Sequence, residues 1–305
     1  MAQLLERCIR VTIALDTRAQ DIGGQAIQPF LSGNNIVIEG TGTGDDFTIE
    51  CQVAKVIGQT RPTADLTIYG LSEAIISVLS HINYYPMQQV YFNSITIEAG
   101  YDFNYSTIFI GNIINAVPDY NDPSTAFHIQ ALAHYFDQIL QAPNYNPKGT
   151  QPVKSIITSI ASQSQQPLSV NATGIDYLTG NNPLYTGSTV QQLEQVANDY
   201  NLNLQIDNNV VYVSPRGTAL TTIPTLEINA DNILYGYPTL EQYGCTCRVM
   251  YTPNLFFGQK IHIESIVPIV TGDWINVAMY YDLRNRGNKF EIELKNMKYG
   301  FLNNV

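Results

Sequence analysis

The chain has 305 residues, a charged fraction of 13% and a formal net charge of −11, enough length to bury two or three cores. Charges this sparse and acidic exclude a tight grip on nucleic acid, which needs clustered lysine and arginine to release counterions. No apolar run approaches the ~18 residues of a membrane-spanning helix, and four cysteines do not make a disulfide scaffold.

Met1 to Asp16 alternates like a strand and has no continuous apolar signal-peptide core, so cytoplasmic synthesis is the simplest expectation. Residues 1–140 read mostly as strands. Ile9, Val11, Ile13 and Leu15 alternate with polar neighbours, as do Phe47, Ile49, Cys51 and Val53. Leu66 and Ile68, then Ile95 and Ile97, repeat the pattern. Ile108 to Ile114 is more continuously apolar and reads as a central strand, with Gly111 a bulge or a point of close approach. One helix interrupts, with Ser72 as N-cap and Ile75, Ile76, Leu79 and Ile82 as its apolar stripe. From Phe127 to Ala133 the alternation favours a strand, although Ala131-Leu132-Ala133-His134 also suits a helix.

Residues 141–217 read as a linker rich in Pro, Asn and Gly followed by a small α/β domain. Val153, Ile156, Ile157 and Ile160 mark a helix ending near Gln163. Ser188 and Gln191 are spaced as a capping box for a second helix lined by Val190, Leu193, Ala197 and Tyr200. Asp207-Asn208-Asn209 between two apolar runs signals a hairpin. Residues 218–305 return to strands. A Gly/Pro turn at 234–239 precedes a strand with Cys245, Cys247, Val249 and Tyr251 on one face; a Pro253-Asn254 loop and Gly258 then lead to a strand carrying Ile261 and Ile263. These two strands read as a hairpin-like antiparallel pair. Asn276 to Asp282, then Phe290, Ile292 and Leu294, give the last strands.

Two regions resemble one known family. In the first, Leu66-Thr67-Ile68-Tyr69-Gly70-Leu71-Ser72 and its helix lead to Ile95-Thr96-Ile97-Glu98-Ala99-Gly100-Tyr101. Ile108-Phe109-Ile110-Gly111-Asn112-Ile113 and the turn at Pro118 follow. In the second, Gly236-Tyr237-Pro238-Thr239, Pro253-Asn254-Leu255, Gly258 and Ile261-His262-Ile263-Glu264-Ser265 occur in order. Both are similar to baseplate hub proteins of contractile phage tails, to which late-control-D proteins and the N-terminal parts of valine-glycine-repeat spike proteins are related. The chain departs from the usual pattern at Tyr280-Tyr281, where many relatives carry histidine, and at Phe290, where many carry tryptophan.

The resemblance implies a mainly β (α+β) fold: two tail-tube-like β-barrel domains, 1–140 and 218–305, flanking the smaller α/β domain at 141–217. It implies a non-enzymatic homotrimer in the virion that joins a six-fold tail tube to a three-fold central spike. Neighbouring baseplate proteins surround it, and DNA and the tape-measure protein pass through without specific binding. With only a short stretch after Leu294, lytic or piercing functions are expected to belong to a separate polypeptide. The 20 tyrosines suit wet–dry boundaries such as subunit interfaces, but also sugar-binding surfaces. The alternative is therefore a carbohydrate- or receptor-binding β-rich tail protein, with a polysaccharide-cleaving enzyme a third reading.

No constellation reads as a catalytic, metal or cofactor site. Cys245 and Cys247 lie about 7 Å apart on one strand face, without a second pair or a histidine to complete a zinc site. His81, His128, His134 and His262 show no catalytic spacing; on one strand His128 and His134 would sit ~20 Å apart. Gly40-Thr41-Gly42-Thr43-Gly44 lacks the lysine and following helix of a phosphate loop and reads as a hairpin loop. Asp45-Asp46 lacks a calcium-loop spacing, and Asp119 and Asp122 are turn formers beside prolines.

Overall fold

The structure, a computed structural model, describes residues 5–15, 31–32, 35–43, 47–56, 61–82, 93–121, 125–230, 234–242 and 244–298. Its first part comprises β1 (Arg7–Ala14), β2 (Leu31–Ser32), β3 (Asn35–Thr41), β4 (Thr48–Val56), β5 (Thr63–Tyr69), α1 (Glu73–Leu79), β6 (His81–Ile82), β7 (Ser94–Tyr101), β8 (Asn104–Asp119), β9 (Ala126–Leu132) and α2 (Tyr135–Ile139). The middle part comprises β10 (Thr150–Pro152), α3 (Val153–Ala161), β11 (Ser169–Ala172), β12 (Thr179–Asn181), α4 (Thr189–Asp199), β13 (Leu202–Asp207) and β14 (Val210–Pro215). The last comprises β15 (Leu226–Ile228), β16 (Leu234–Glu241), β17 (Gly244–Met250), β18 (Lys260–Ile263), β19 (Gly272–Arg284) and β20 (Phe290–Lys298).

The protein is mainly β, but its strands form one open path where two tube-like barrels were expected. The order β16-β17-β20-β19-β4-β5-β9-β8-β7-β1-β3-β2 runs through a 15-stranded sheet, with β15, β18 and β6 attached beside it. The long strand β19 makes this continuity possible. Its first residues pair with β18, and Ala278–Arg284 then pair antiparallel with β4, so the two flanking parts share one sheet. One core follows from one sheet: Ile9, Phe109 and Phe127 of the first part belong to the same cluster as Val249, Leu283 and Ile292 of the last.

β3 and β4 do not pair as a hairpin, contrary to the reading of the Gly40–Gly44 loop. Asn285, just after β19 and buried, stands between them. Its Nδ2 donates to Thr41 O (2.7 Å) and Phe47 O (2.9 Å), and its Oδ1 accepts from Ile49 N (2.7 Å). One amide side chain thus satisfies backbone groups that a ladder would otherwise pair. A Cβ on Gly40 would stand 2.5 Å from Phe47 O and 2.7 Å from Asn285 Nδ2, so only glycine lets the edges approach this closely.

Other expectations are sharpened. Ile9, Val11, Ile13 and Leu15 are buried, as are Ile49, Cys51 and Val53. Gly111 is a point of close approach, its would-be Cβ 2.6 Å from the Phe109 ring, whereas the register shifts lie between Ile97 and Glu98 and between Ile113 and Asn115. Ser72 stands at the N-cap of α1 without a side-chain bond, and the helix stops at Leu79, leaving Ile82 on β6. The segment after Phe127 is strand to Leu132 and then turns, His134 adopting φ 51° ahead of α2. The expected turn at 234–239 is strand β16, with a register shift between Tyr235 and Thr239 absorbing its glycine and proline. β17 and β18 are not partners. β20 and β19 lie between them: β18 pairs with β19 and β19 with β20, while β17 takes the far edge of β20.

The middle part follows its local signals closely. Ser188 and Gln191 form the reciprocal capping box, and Asn208 and Asn209 take φ 46° and 61° in the two-residue turn of the β13–β14 hairpin. Its apolar residues form a second cluster, separate from the first.

Candidate functional site

Because side chains alternate, the face of the large sheet opposite the core is wet, and register fixes which residues become neighbours there. Across five strands one row reads Glu291 (β20), Asp282 (β19), Gln52 (β4), Asp65 (β5) and Gln130 (β9). The next row reads Arg284, Glu50, Thr67 and His128 from β19 to β9. A third runs from Arg248 (β17) through Glu293 and Tyr280 to Ala54. Strand spacing puts neighbours in a row roughly 4.8 Å apart at the backbone. The rows cross the β4–β19 junction without a break.

Two shallow depressions lie on this face. One, of about 360 Å³, is lined by Glu50, Asp65, Thr67, His128, Gln130 and Asp282 among others. The second, of about 300 Å³, shares Gln52, Asp65 and Asp282 with it and adds Arg248, Tyr280, Glu291 and Glu293. Charge is only partly compensated. Lys289 Nζ reaches Asp282 Oδ2 (2.6 Å), Arg284 lies 3.5 Å from Glu50 and 3.6 Å from Asp282, and Arg248 lies 3.5 Å from Glu293. Among the described residues no cation stands within ion-pair distance of Asp65 or Glu291. Glu291 faces Asp282 directly across the ladder, an arrangement that like charges disfavour. The result is a broad acidic and amide-rich wall.

The residues singled out from the sequence do not converge. Cys245 and Cys247 are buried on the core face beside Asn296, whose Nδ2 lies 3.5 Å from Cys247 Sγ; burial pushes both thiols up to about 12. His128 Nδ1 meets Thr67 Oγ1 at 3.1 Å, on the wall itself. His134 is buried against Asp137, and His262 on β18 meets Asp273 at 2.7 Å, a hydrogen bond that raises its pKa. The side chain of His81, and Gly44, Asp45, Asp46 and Asp122, lie outside the described residues. Asp119 accepts from Asn121 N (2.9 Å), a turn-forming role. Among the described residues no group of three or more His, Cys, Asp or Glu could hold a metal ion, and no helix is long and apolar enough to cross a membrane.

Sequence reading missed three features. The wall was invisible because rows across strands need the register. Asn285 sits in a polar turn with no local signature. Lys55, however, left a signal: it shares the period-two face of Ile49, Cys51 and Val53, so a lysine was bound for the interior. It is 1% exposed and pairs with Asp207, 2.7 Å to Oδ1 and 2.9 Å to Oδ2.

Comparison with known proteins places this geometry. The model of the family described as baseplate hub gp41 matches residues 34–296. The fold is similar to that of the tail protein from Neisseria meningitidis MC58, with a TM-score of 0.59 and 13% identity over 96% of this chain and 97% of that one. It is also similar to the 43 kDa tail protein of prophage MuSo2 from Shewanella oneidensis (TM-score 0.53, 10% identity, 95% and 98% covered). A third similar structure is the E. coli c3393 protein, a type VI secretion component described as similar to the T4 bacteriophage tail proteins gp27 and gp5 (TM-score 0.58, 8% identity, 83% and 74% covered). At these identities the likeness is one of fold. Among curated proteins nothing matches.

Proposed function

The chain belongs to the baseplate hub gp41 family, a structural component of the phage tail, and from that premise we propose that it is the trimeric adaptor between tail tube and central spike. In this reading residues 1–140 and 218–305 act as two tube-like wedges. Three copies then offer six wedges to a six-fold tube and keep three-fold symmetry towards the spike. Residues 141–217 sit at the periphery or face the spike. A ring of copies also removes bare sheet ends, which a single open sheet cannot do alone.

The observation that carries the proposal is the β4–β19 ladder. A trimer can imitate a hexamer only if the two wedges of each copy hold a fixed relative position, and seven paired residues within one sheet supply that rigidity. The acidic wall crosses the same junction, so it suits the channel side, where carboxylates repel phosphate and leave DNA and the tape-measure protein free to slide. The similarity of c3393 to gp27 and gp5 supports the same assignment.

Light scattering of the purified protein, alone and with tube and spike proteins, tests it. A trimer that caps tube protein is expected; a monomer that binds glycan and ignores tube protein would replace this reading with a receptor-binding one.

A further inference from the structure

Residues 153–213 keep their own core, enclosed by α3, α4 and one face of the β13–β14 hairpin. The opposite face of that hairpin is polar. Register puts Asn203 opposite Ser214 and Gln205 opposite Tyr212, with Asp207 at the end of the row. Gln205, Asp207, Tyr212 and Ser214 are nevertheless buried. They are covered by the rest of the molecule, Leu220, Phe257 and Ile275 lining a small pocket with Gln205, Tyr212 and Ser214.

Two charged nodes tie the middle part to the rest of the molecule, one of them on this polar face. At one, Lys55 of β4 pairs with Asp207, the Oδ2 contact at 2.9 Å having hydrogen-bond geometry, while the Tyr281 ring lies 5.6 Å from the ammonium. Beside it Asn208 Nδ2 donates to Thr107 O (3.3 Å). At the other, buried Asp137 of α2 accepts from Ser164 Oγ and Gln165 N, both 2.6 Å, and meets His134 Nδ1 at 2.9 Å. The second node adjoins the incoming chain, where Gln192 Nε2 donates to Pro143 O (3.0 Å).

An interface driven by apolar burial would have merged the two clusters. This one keeps them apart and relies on desolvated charge, which adds little net stability over apolar packing but fails sharply when one partner is lost. We propose that residues 150–215 form a body that undocks from the large sheet as a unit, with Lys55–Asp207 as its latch and the Asp137 node as its hinge side. The inference stands on the fold alone and does not depend on the hub reading.

Thiol labelling of the full chain tests it. Ser214→Cys reports on the polar face and Ile157→Cys on the second core; the four native cysteines, all buried, serve as controls. In a Lys55→Met background Ser214→Cys is expected to label about a hundredfold faster or more, with Ile157→Cys as slow as before. Lys55→Met/Asp207→Leu, which removes both charges, should return Ser214→Cys to slow labelling. Ser164→Ala, a milder change at the other node, gives a smaller rise at the same position and covers the case in which Lys55→Met does not fold. Equal acceleration at both reporters, or no acceleration at Ser214→Cys in either background, would overturn the latch.

Discussion

The large sheet and the three-stranded β11-β14-β13 sheet each present one polar face, and they use it in opposite ways. On the large sheet the face meets solvent, so Asp282 and Glu291 can stand opposite one another and Asp65 can go without a cation. On the small sheet the face is covered, and Asp207 requires Lys55. The chemistry along the strands is similar; what differs is who satisfies it. Water tolerates crowded like charge, whereas a dry interface makes each unpaired charge costly.

The sharpest way to break this contrast is to remove one carboxylate from each face. Asp207→Ala leaves Lys55 buried without its partner and is expected to cost about 3–5 kcal/mol, whereas Asp65→Ala should stay within about 0.5 kcal/mol; urea denaturation of both variants reads the difference. Equal losses would mean that the wall is not a solvated face.

Next in size is Asn285→Ala. It strands Ile49 N, Thr41 O and Phe47 O and is expected to cost about 3 kcal/mol. Hydrogen exchange should show Ile49 losing protection before the ladder partners of β4 do. Ser188→Ala, which deletes half of the capping box, should cost about 1 kcal/mol, visible as fraying of α4 with the large sheet unchanged.

Acid sharpens the contrast further. Burial would raise the Asp137 pKa, but hydrogen bonds from His134, Ser164 and Gln165 outweigh it and leave the carboxyl below its usual value. Its contribution is therefore complete above the unfolded carboxylate pKa of about 3.9 and is lost as pH falls through the lower folded value. Hydrogen-exchange protection factors of the β13–β14 amides across that range should fall before those of the large sheet do. The smallest expected effect is that of Glu291→Gln, which relieves the repulsion of Asp282 and should stabilise by a few tenths of a kcal/mol at roughly the scale of one cross-strand pair.

What could be read from the sequence follows the range of the physics involved. Helix α4 and the β13–β14 turn rest on contacts within a few residues, and Ser188, Gln191, Asn208 and Asn209 announced them. Strand faces were equally legible, since Ile9 to Leu15 and Ile49 to Val53 alternate. Pairing was not. That β17 mates with β20, and β4 with β19, depends on residues far apart in sequence, so both the hairpin expected of β17 and β18 and the two separate barrels gave way to one sheet. The wall could not be foreseen for the same reason, as its rows exist only once register is known. Lys55 is the instructive case: its place on an apolar face marked an interior charge, yet Asp207 looked like an ordinary turn residue.

The proposed role turns on the sheet shared by the two flanking parts and on the direction its wet face points in the assembled tail. Electron cryo-microscopy of the baseplate reads this directly. Three copies are expected in a ring, with Asp65, Asp282 and Glu291 lining the pore and the β4–β19 ladder intact in each. A ring with that face turned outward, or copies in which β4 and β19 have separated, would contradict it.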